Sequence, residues 1–83
     1  MKKIILGIQI TNRTTKAVEV QKLFSQYGCN IKTRLGLHDV DENTCSLSGL
    51  VLLEMFGKEE DIFQMEKALK AIEGINVQKM IFE

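Results

Sequence analysis

His38 and Cys45 are the two side chains whose chemistry and spacing most directly suggest a functional site. They flank a six-residue connection, Asp39–Thr44, between two predicted strands, so a hairpin would bring them to one end of a sheet. An imidazole and a thiolate are suitable ligands for zinc, nickel or copper. Two ligands do not complete a site, and the others would come from acidic residues of the connection or from a second subunit. The pair predicts a transition-metal site, against the alternative of an exposed loop histidine and a small buried cysteine.

A second candidate is the loop that precedes the first predicted helix. Thr14 and Thr15 open this helix, and free N–H groups at a helix N-terminus favour an anion. Asn12 and Arg13 add hydrogen bonds and positive charge, and we include Arg34, from the next predicted strand, in the same ligand site. The segment predicts a site for the carboxylate or phosphate of a small effector, against the alternative that the threonines cap the helix.

Composition defines the class of protein. The chain has 83 residues, 45% of them hydrophobic and 27% charged, which is typical of one small folded domain spanning residues 1–83. Eleven basic and eleven acidic side chains balance, so we expect no direct nucleic-acid binding, which depends on excess positive charge. No apolar run reaches the roughly 20 residues needed to cross a bilayer, so we expect no membrane segment. Two cysteines are too few for a disulfide scaffold, which favours the cytoplasm.

The charges are unevenly divided along the chain. Residues 1–34 hold seven basic side chains and one acid, whereas residues 35–83 hold four basic and ten acidic ones. Two separately solvated faces would explain this pattern. The alternative is that the basic side of one subunit meets the acidic side of another.

Hydrophobic periodicity predicts four strands and two helices in the order β-α-β-β-α-β. The strands are predicted near residues 3–10, 31–37, 47–56 and 75–82, and the helices near 15–27 and between 59 and 74. Gly28 and Gly74 stand where the helices stop, and Cys29 is expected in the core. Right-handed crossovers turn this order into a ferredoxin-like α+β fold, a four-stranded antiparallel sheet with both helices on one face.

Helices on one face leave the other face of the sheet uncovered. That face is expected to carry Ile5, Met80 and Phe82, with some of Leu50, Val51 and Leu52. An apolar patch of this kind usually marks an interface. We therefore predict a homo-oligomer, either a dimer or a tetramer.

Enzymatic chemistry is not indicated by the sequence. Nucleophilic catalysis needs a serine or cysteine beside an oriented base, and nothing in the sequence orients His38, the only histidine. We therefore predict no catalytic residues and a non-enzymatic role. The sequence does not identify a cofactor, and the candidate transition metal is the one considered.

Several segments resemble a known class of regulatory domain. The helix end Leu23–Gly28, followed by Cys29-Asn30-Ile31, resembles ACT-type domains, which pair and bind small effectors at subunit interfaces. Almost the whole chain is similar to small ACT-like proteins known as iron-only hydrogenase system regulators. The similarity lies in Asn12-Arg13, in the helix from Ala17 to Tyr27, in Thr33–Leu37 and in Ile72–Val77. The resemblance implies a single ACT-like domain that acts as a regulatory or sensor module.

A more distant resemblance is to the C-terminal, metal-sensing domain of nickel-responsive repressors. His38 and Cys45 resemble a histidine and the cysteine of that metal set, while Gly36 and Asn12 stand where it has further histidines. The resemblance implies nickel or zinc binding as the alternative function. Those repressors bind DNA through a separate domain, so we expect any regulatory role here to act through a partner or through self-assembly.

Overall fold

The computed structural model describes residues 2–11, 15–40 and 45–83, including the side chains of all of these except residues 37–40 and 45–48. The elements follow the predicted order, with a short 3-10 helix, Gly28–Asn30, before the second strand. They are β1 (Lys3–Ile10), α1 (Ala17–Gln26), β2 (Ile31–Val40), β3 (Cys45–Met55), α2 (Glu59–Lys70) and β4 (Ile75–Phe82). Neither α1 nor α2, the helices within the described ranges, has the length and apolar character that a bilayer crossing requires.

The four strands form one antiparallel sheet in the order β2-β3-β1-β4, so β1 and β3 are central and β2 and β4 are edges. Alternate residues of β1 point to opposite faces, and its aliphatic set lies under the helices. Ile4, Leu6 and Ile8 are at most 2% exposed. They share one core with Val20, Phe24, Val51, Leu53, Met55, Ile62, Met65, Leu69, Ile72, Ile75 and Val77. Because α1 and α2 both contribute to this core, they cover the same face, and the predicted ferredoxin-like fold is confirmed.

The two helices begin in different ways. Glu59, Glu60 and Asp61 occupy the first turn of α2, and Lys67 and Lys70 its last turn, where the helix dipole favours acidic and basic side chains respectively. Helix α1 instead begins after Lys16, with no side-chain cap hydrogen bond. Of the two threonines considered as caps, Thr15 is thus not the N-cap residue, and Thr14 lies outside the described residues.

Two glycines are required by backbone geometry. Gly57 and Gly74 have φ of 96° and 85°, a region that favours glycine, and no other described residue has a positive φ. A Cβ at Gly57 would also lie 2.9 Å from the Asn30 side-chain nitrogen. Gly28, expected where the first helix stops, starts the 3-10 helix without a positive φ, and the adjacent Cys29 is exposed rather than in the core.

A bulge in β2 changes which side of the sheet its residues face. The register shifts between Ile31 and Thr33, so Ile31 packs against the core while Thr33 pairs with Glu54 on the other side. Leu35 consequently lies on the uncovered face, where it is 51% exposed. Val51, considered for the uncovered face in the sequence, is buried under the helices instead.

Candidate functional site

The face of the sheet opposite the helices is apolar and uncovered in a single copy of the chain. We call it the open face; its apolar members are Ile5, Leu35, Leu50, Leu52, Met80 and Phe82. Met80 and Phe82 are 50% and 52% exposed, and Leu50 is 37% exposed. The predicted apolar patch is therefore present.

A shallow groove of about 360 Å³ runs across the middle of the open face. Its floor is at Gly7, where a Cβ would reach ordinary contact with Leu52 at 3.7 Å and with the Gln78 carbonyl oxygen at 3.8 Å. The other lining residues are Ile5, Gln9, Leu50, Asn76, Lys79 and Met80. The missing side chain at Gly7 thus forms a depression between neighbouring side chains, which an inserted group can occupy.

One end of this groove is polar. The Asn76 Nδ2 donates a hydrogen bond to the Gln9 Oε1 at 3.1 Å, and Gln78 lies next along the same face of β4. Amides can both donate and accept hydrogen bonds. This end of the groove can therefore orient a polar group, and the other end can hold an apolar one.

The strand register brings His38 to the same end of the sheet as the end of β1, which precedes the first loop. His38 pairs with Gly49, Gly49 with Ile10, and Ile10 with Ile75, so these four residues form one row across all four strands. Two strand spacings, about 10 Å, separate His38 from Ile10, which ends β1 just before the first loop. His38 of the predicted metal site and the end of β1 therefore lie at the same end of the sheet.

The start of the first loop is firmly attached there. Thr11 donates two hydrogen bonds to the Gly74 carbonyl oxygen, from its backbone nitrogen at 3.1 Å and from its hydroxyl at 2.9 Å. The predicted ligand residues Asn12, Arg13 and Thr14 follow directly but lie outside the described residues.

The remaining two residues of that predicted ligand site are far apart within one copy. Thr15 is exposed ahead of the N-terminus of α1, whereas the Arg34 guanidinium lies 4.7 Å from the ring centre of Phe24, near the helix C-terminus. From Ala17 to Phe24 the helix rises about 10 Å. A single copy therefore does not gather Thr15 and Arg34 around one small anion.

The structure describes His38 and Cys45 only through their backbone. Cys45 pairs with Val40, two residues beyond His38, and an irregularity in register separates the two pairings. Both residues thus lie at the outer end of the β2–β3 hairpin, as predicted from the sequence. Within the ranges whose side chains are described, no three His, Cys, Asp or Glu residues gather as a metal site requires.

A charged cluster on the helix-covered face was missed by the sequence reasoning. Glu66 is only 6% exposed, and the Lys79 Nζ lies 3.0 Å from each of its carboxylate oxygens. The Lys70 Nζ is 3.2 Å away, and Lys79 also lies over the Phe63 ring at 5.1 Å. Burial alone would raise the pKa of Glu66, but the hydrogen bonds and charges of the two lysines outweigh it and lower the pKa. The signal was present in the sequence, because Glu66 interrupts the apolar stripe of α2 four residues before Lys70.

A second charged cluster lies at the C-terminal end of β4. The Lys2 Nζ is 3.4 Å from a carboxylate oxygen of Glu59 and 3.4 Å from one of Glu83. The Glu59 carboxylate, and then that of Glu83, raises the pKa of the exposed Lys2. This cluster carries one positive and two negative charges, opposite in sign to the excess around Glu66.

Comparison with known proteins establishes the fold. No family model matches the sequence, and no curated protein shows significant similarity to it. The structure is similar to that of an uncharacterized protein from Thermotoga maritima, with a TM-score of 0.82, 21% identity and coverage of 100% of both chains.

Two further structures share the architecture at lower similarity. A nitrogen regulatory PII-like protein from Thiomonas intermedia K12, bound to ADP, AMP and bicarbonate, has a TM-score of 0.54 and 14% identity, covering 100% of this chain and 94% of that one. A formyltetrahydrofolate deformylase from Pseudomonas putida KT2440 has a TM-score of 0.54 and 12% identity, covering 94% of this chain and 28% of that one. At these identities the likeness is one of fold.

Proposed function

We propose that this chain is a non-catalytic, ACT-like regulatory module that assembles with copies of itself through the open face and binds a small effector at a subunit interface. The observation that carries the proposal is the uncovered apolar face with its groove over Gly7. Burying exposed apolar surface yields roughly 25 cal/mol per Å². A domain of this size has a small core of its own, so association is a direct way to gain stability.

Oligomeric state tests this assembly. Leu52→Glu places a carboxylate at the centre of the open face, and sedimentation velocity should then show smaller species than the unaltered protein at equal concentration. Val18→Glu is the matched control, because Val18 is 68% exposed on α1 and away from that face. Circular dichroism confirms that each variant is folded. A monomer at every concentration of the unaltered protein, or equal behaviour of the two variants, would refute the proposed assembly.

The effector is proposed to be a small anion held at Asn12, Arg13, Thr14 and Thr15, with Arg34 supplied by another copy. The separation of Thr15 from Arg34 within one copy supports a shared site. The PII-like protein of Thiomonas was observed with ADP, AMP and bicarbonate, so a domain of this fold can accommodate such ligands.

A thermal-shift screen of amino acids, nucleotides and phosphorylated metabolites tests this site, because a ligand that binds only the folded state raises its stability. We expect at least one compound to stabilise the protein, and Arg13→Ala to abolish the shift. Lys22→Ala, which removes an exposed charge from α1, should leave it intact. An unchanged shift in Arg13→Ala would refute the first-loop site.

The alternative function is binding of nickel or zinc through His38 and Cys45. The observation in its favour is the register, which puts both residues at the outer end of one hairpin, in line with the end of β1. Metal analysis of the purified protein, with His38→Ala, Cys45→Ser and the control Cys29→Ser, tests it. This function is supported if the unaltered protein and Cys29→Ser contain near-stoichiometric metal and His38→Ala and Cys45→Ser do not. It is refuted if the unaltered protein is free of metal and its stability does not change when a chelator is added.

A further inference from the structure

The C-terminal half of β4 has the properties of a second interface, at the edge of the sheet, although Met80 and Phe82 also belong to the open face. β4 is an edge strand, so one side of its backbone has no partner among the four strands of the described chain. Met80, Ile81 and Phe82 are consecutive and are 50%, 41% and 52% exposed. Because alternate residues point to opposite faces, this edge is apolar on both sides of the sheet. Edge strands of isolated sheets usually avoid that combination, since it invites pairing with another chain.

We propose that β4 pairs antiparallel with β4 of a second copy of this chain, around a two-fold axis at Ile81. In this register Ile81 lies opposite the partner's Ile81, Met80 opposite the partner's Phe82, and Lys79 opposite the partner's Glu83. Directly opposed side chains stabilise a sheet when they are both apolar or oppositely charged. Every pair in this five-residue overlap satisfies that condition.

The neighbouring registers do not place apolar or oppositely charged side chains opposite each other in every pair. An axis at Met80 opposes Lys79 to Ile81 and Gln78 to Phe82, and an axis at Phe82 opposes Ile81 to Glu83. An axis at Lys79 places two like charges directly opposite each other, which is destabilising. The sequence of the exposed segment therefore favours Ile81 as the centre.

The charged clusters at the two ends of the exposed segment support the same register. Glu66 with Lys70 and Lys79 comprises one carboxylate and two ammonium groups, a net charge of +1. Lys2 with Glu59 and Glu83 comprises one ammonium group and two carboxylates, a net charge of −1. Antiparallel pairing places the positive cluster of each copy beside the negative cluster of the other, twice by symmetry.

The proposed contact extends the sheet rather than covering it. Opposed residues of an antiparallel pair share a face, so the helices of both copies lie on one side of an eight-stranded sheet. The open faces of the two copies then form one continuous surface. Two such dimers meeting through that surface would form a tetramer. The edge contact does not depend on the open-face contact, and the two can fail separately.

Disulfide crosslinking tests the contact. Opposed residues have Cα atoms about 4.5–5.5 Å apart, within the range a disulfide can bridge. In a Cys29→Ser, Cys45→Ser background, Ile81→Cys should form a covalent dimer rapidly under copper–phenanthroline oxidation. The Leu52→Glu substitution is added, so that open-face contacts do not contribute. Met80→Cys and Phe82→Cys, each offset by two residues from its own copy in the partner, should react at least tenfold more slowly, as should Val18→Cys.

The relative crosslinking rates at Met80, Ile81 and Phe82 decide between the possible contacts. Fastest crosslinking at Ile81 supports the proposal, and fastest crosslinking at Met80 or Phe82 overturns the register. If all three positions crosslink no faster than Val18→Cys, the edge contact is overturned. That result would not bear on the open-face assembly, which sedimentation velocity tests separately.

A charge reversal without cysteine gives an independent measurement. Glu83 is 78% exposed in its side chain, so Glu83→Lys should not affect folding. It replaces two symmetric attractions by two repulsions, and we expect the dimer dissociation constant, measured in the Leu52→Glu background, to rise about tenfold. Glu73→Lys makes the same change on the exposed turn after α2 and should have no effect. Equal dissociation constants for the two variants would overturn the proposal.

Discussion

The Lys79 Nζ lies 3.0 Å from both carboxylate oxygens of Glu66, and this contact joins the edge strand β4 to helix α2. Glu66 is the only charged residue in the core of the described chain, and two lysines surround it. One carboxylate cannot neutralise two ammonium groups, so a positive charge remains beside the edge of the sheet. The same cluster thus attaches α2 to the sheet and favours a negatively charged partner beside β4.

Removing the Glu66 charge should destabilise the fold. Glu66→Gln keeps the shape but replaces charge-assisted hydrogen bonds by weaker ones, and we expect a loss of about 1–2 kcal/mol in the free energy of unfolding. Glu60→Gln is the control, because Glu60 is exposed on the same helix and should change stability by less than about 0.5 kcal/mol. Urea unfolding at pH 7 measures both, and equal stabilities would contradict the structural role of Glu66.

The Glu66 contribution should depend on pH in the acid range. Because the folded-state pKa of Glu66 is lowered, its stabilisation is complete above the unfolded value of about 4.3 and is lost as the pH falls through the folded value. The stability difference between the unaltered protein and Glu66→Gln should therefore be constant from about pH 6 to 8 and shrink below about pH 4. Urea unfolding across this range tests the sign, and a difference that grows on acidification would contradict it.

Gly57 should tolerate no side chain. Gly57→Ala must adopt a φ of 96° with its Cβ 2.9 Å from the Asn30 side chain, which itself donates a hydrogen bond to the Phe56 carbonyl oxygen. We expect a loss of about 1–3 kcal/mol. A Cβ at Gly36 meets no atom within 4 Å, so Gly36→Ala should be neutral or slightly stabilising. Thermal unfolding compares the two, and equal melting temperatures would contradict the geometry at Gly57.

Ionic strength should separate the two proposed interfaces. The edge contact pairs exposed charges, and salt screens these with a Debye length of about 10 Å at 0.1 M and 3 Å at 1 M. The open-face contact is largely apolar and should not weaken with salt. Dimerisation of Leu52→Glu should therefore weaken severalfold between 0.1 M and 1 M sodium chloride, whereas that of Glu83→Lys, which retains the open face, should not. Salt-sensitive dimerisation of Glu83→Lys together with salt-insensitive dimerisation of Leu52→Glu would contradict the charge pairing at β4.

The sequence by itself determined the element order, the ferredoxin-like fold and the uncovered apolar face. Those depend on periodicity: the alternation of Ile4 to Ile10 and the stripe of Ile62, Met65 and Leu69 are local patterns that identify a strand and a helix whatever surrounds them. Predictions that relied on one position relative to a distant one were less successful. Cys29 looked like a core residue and is exposed, while Leu35 reached the open face because a bulge shifts the register of β2.

Only the tertiary structure decided which distant residues meet. Strand pairing placed His38 in the same row as the end of β1, separated Thr15 from Arg34, and brought Lys79 to Glu66. It also left the apolar segment around Ile81 at an edge rather than in the centre of the sheet. The physical reason is that hydrophobic periodicity records which side of an element is buried. Register and strand order depend on the mutual packing of residues dozens of positions apart, which local patterns do not encode.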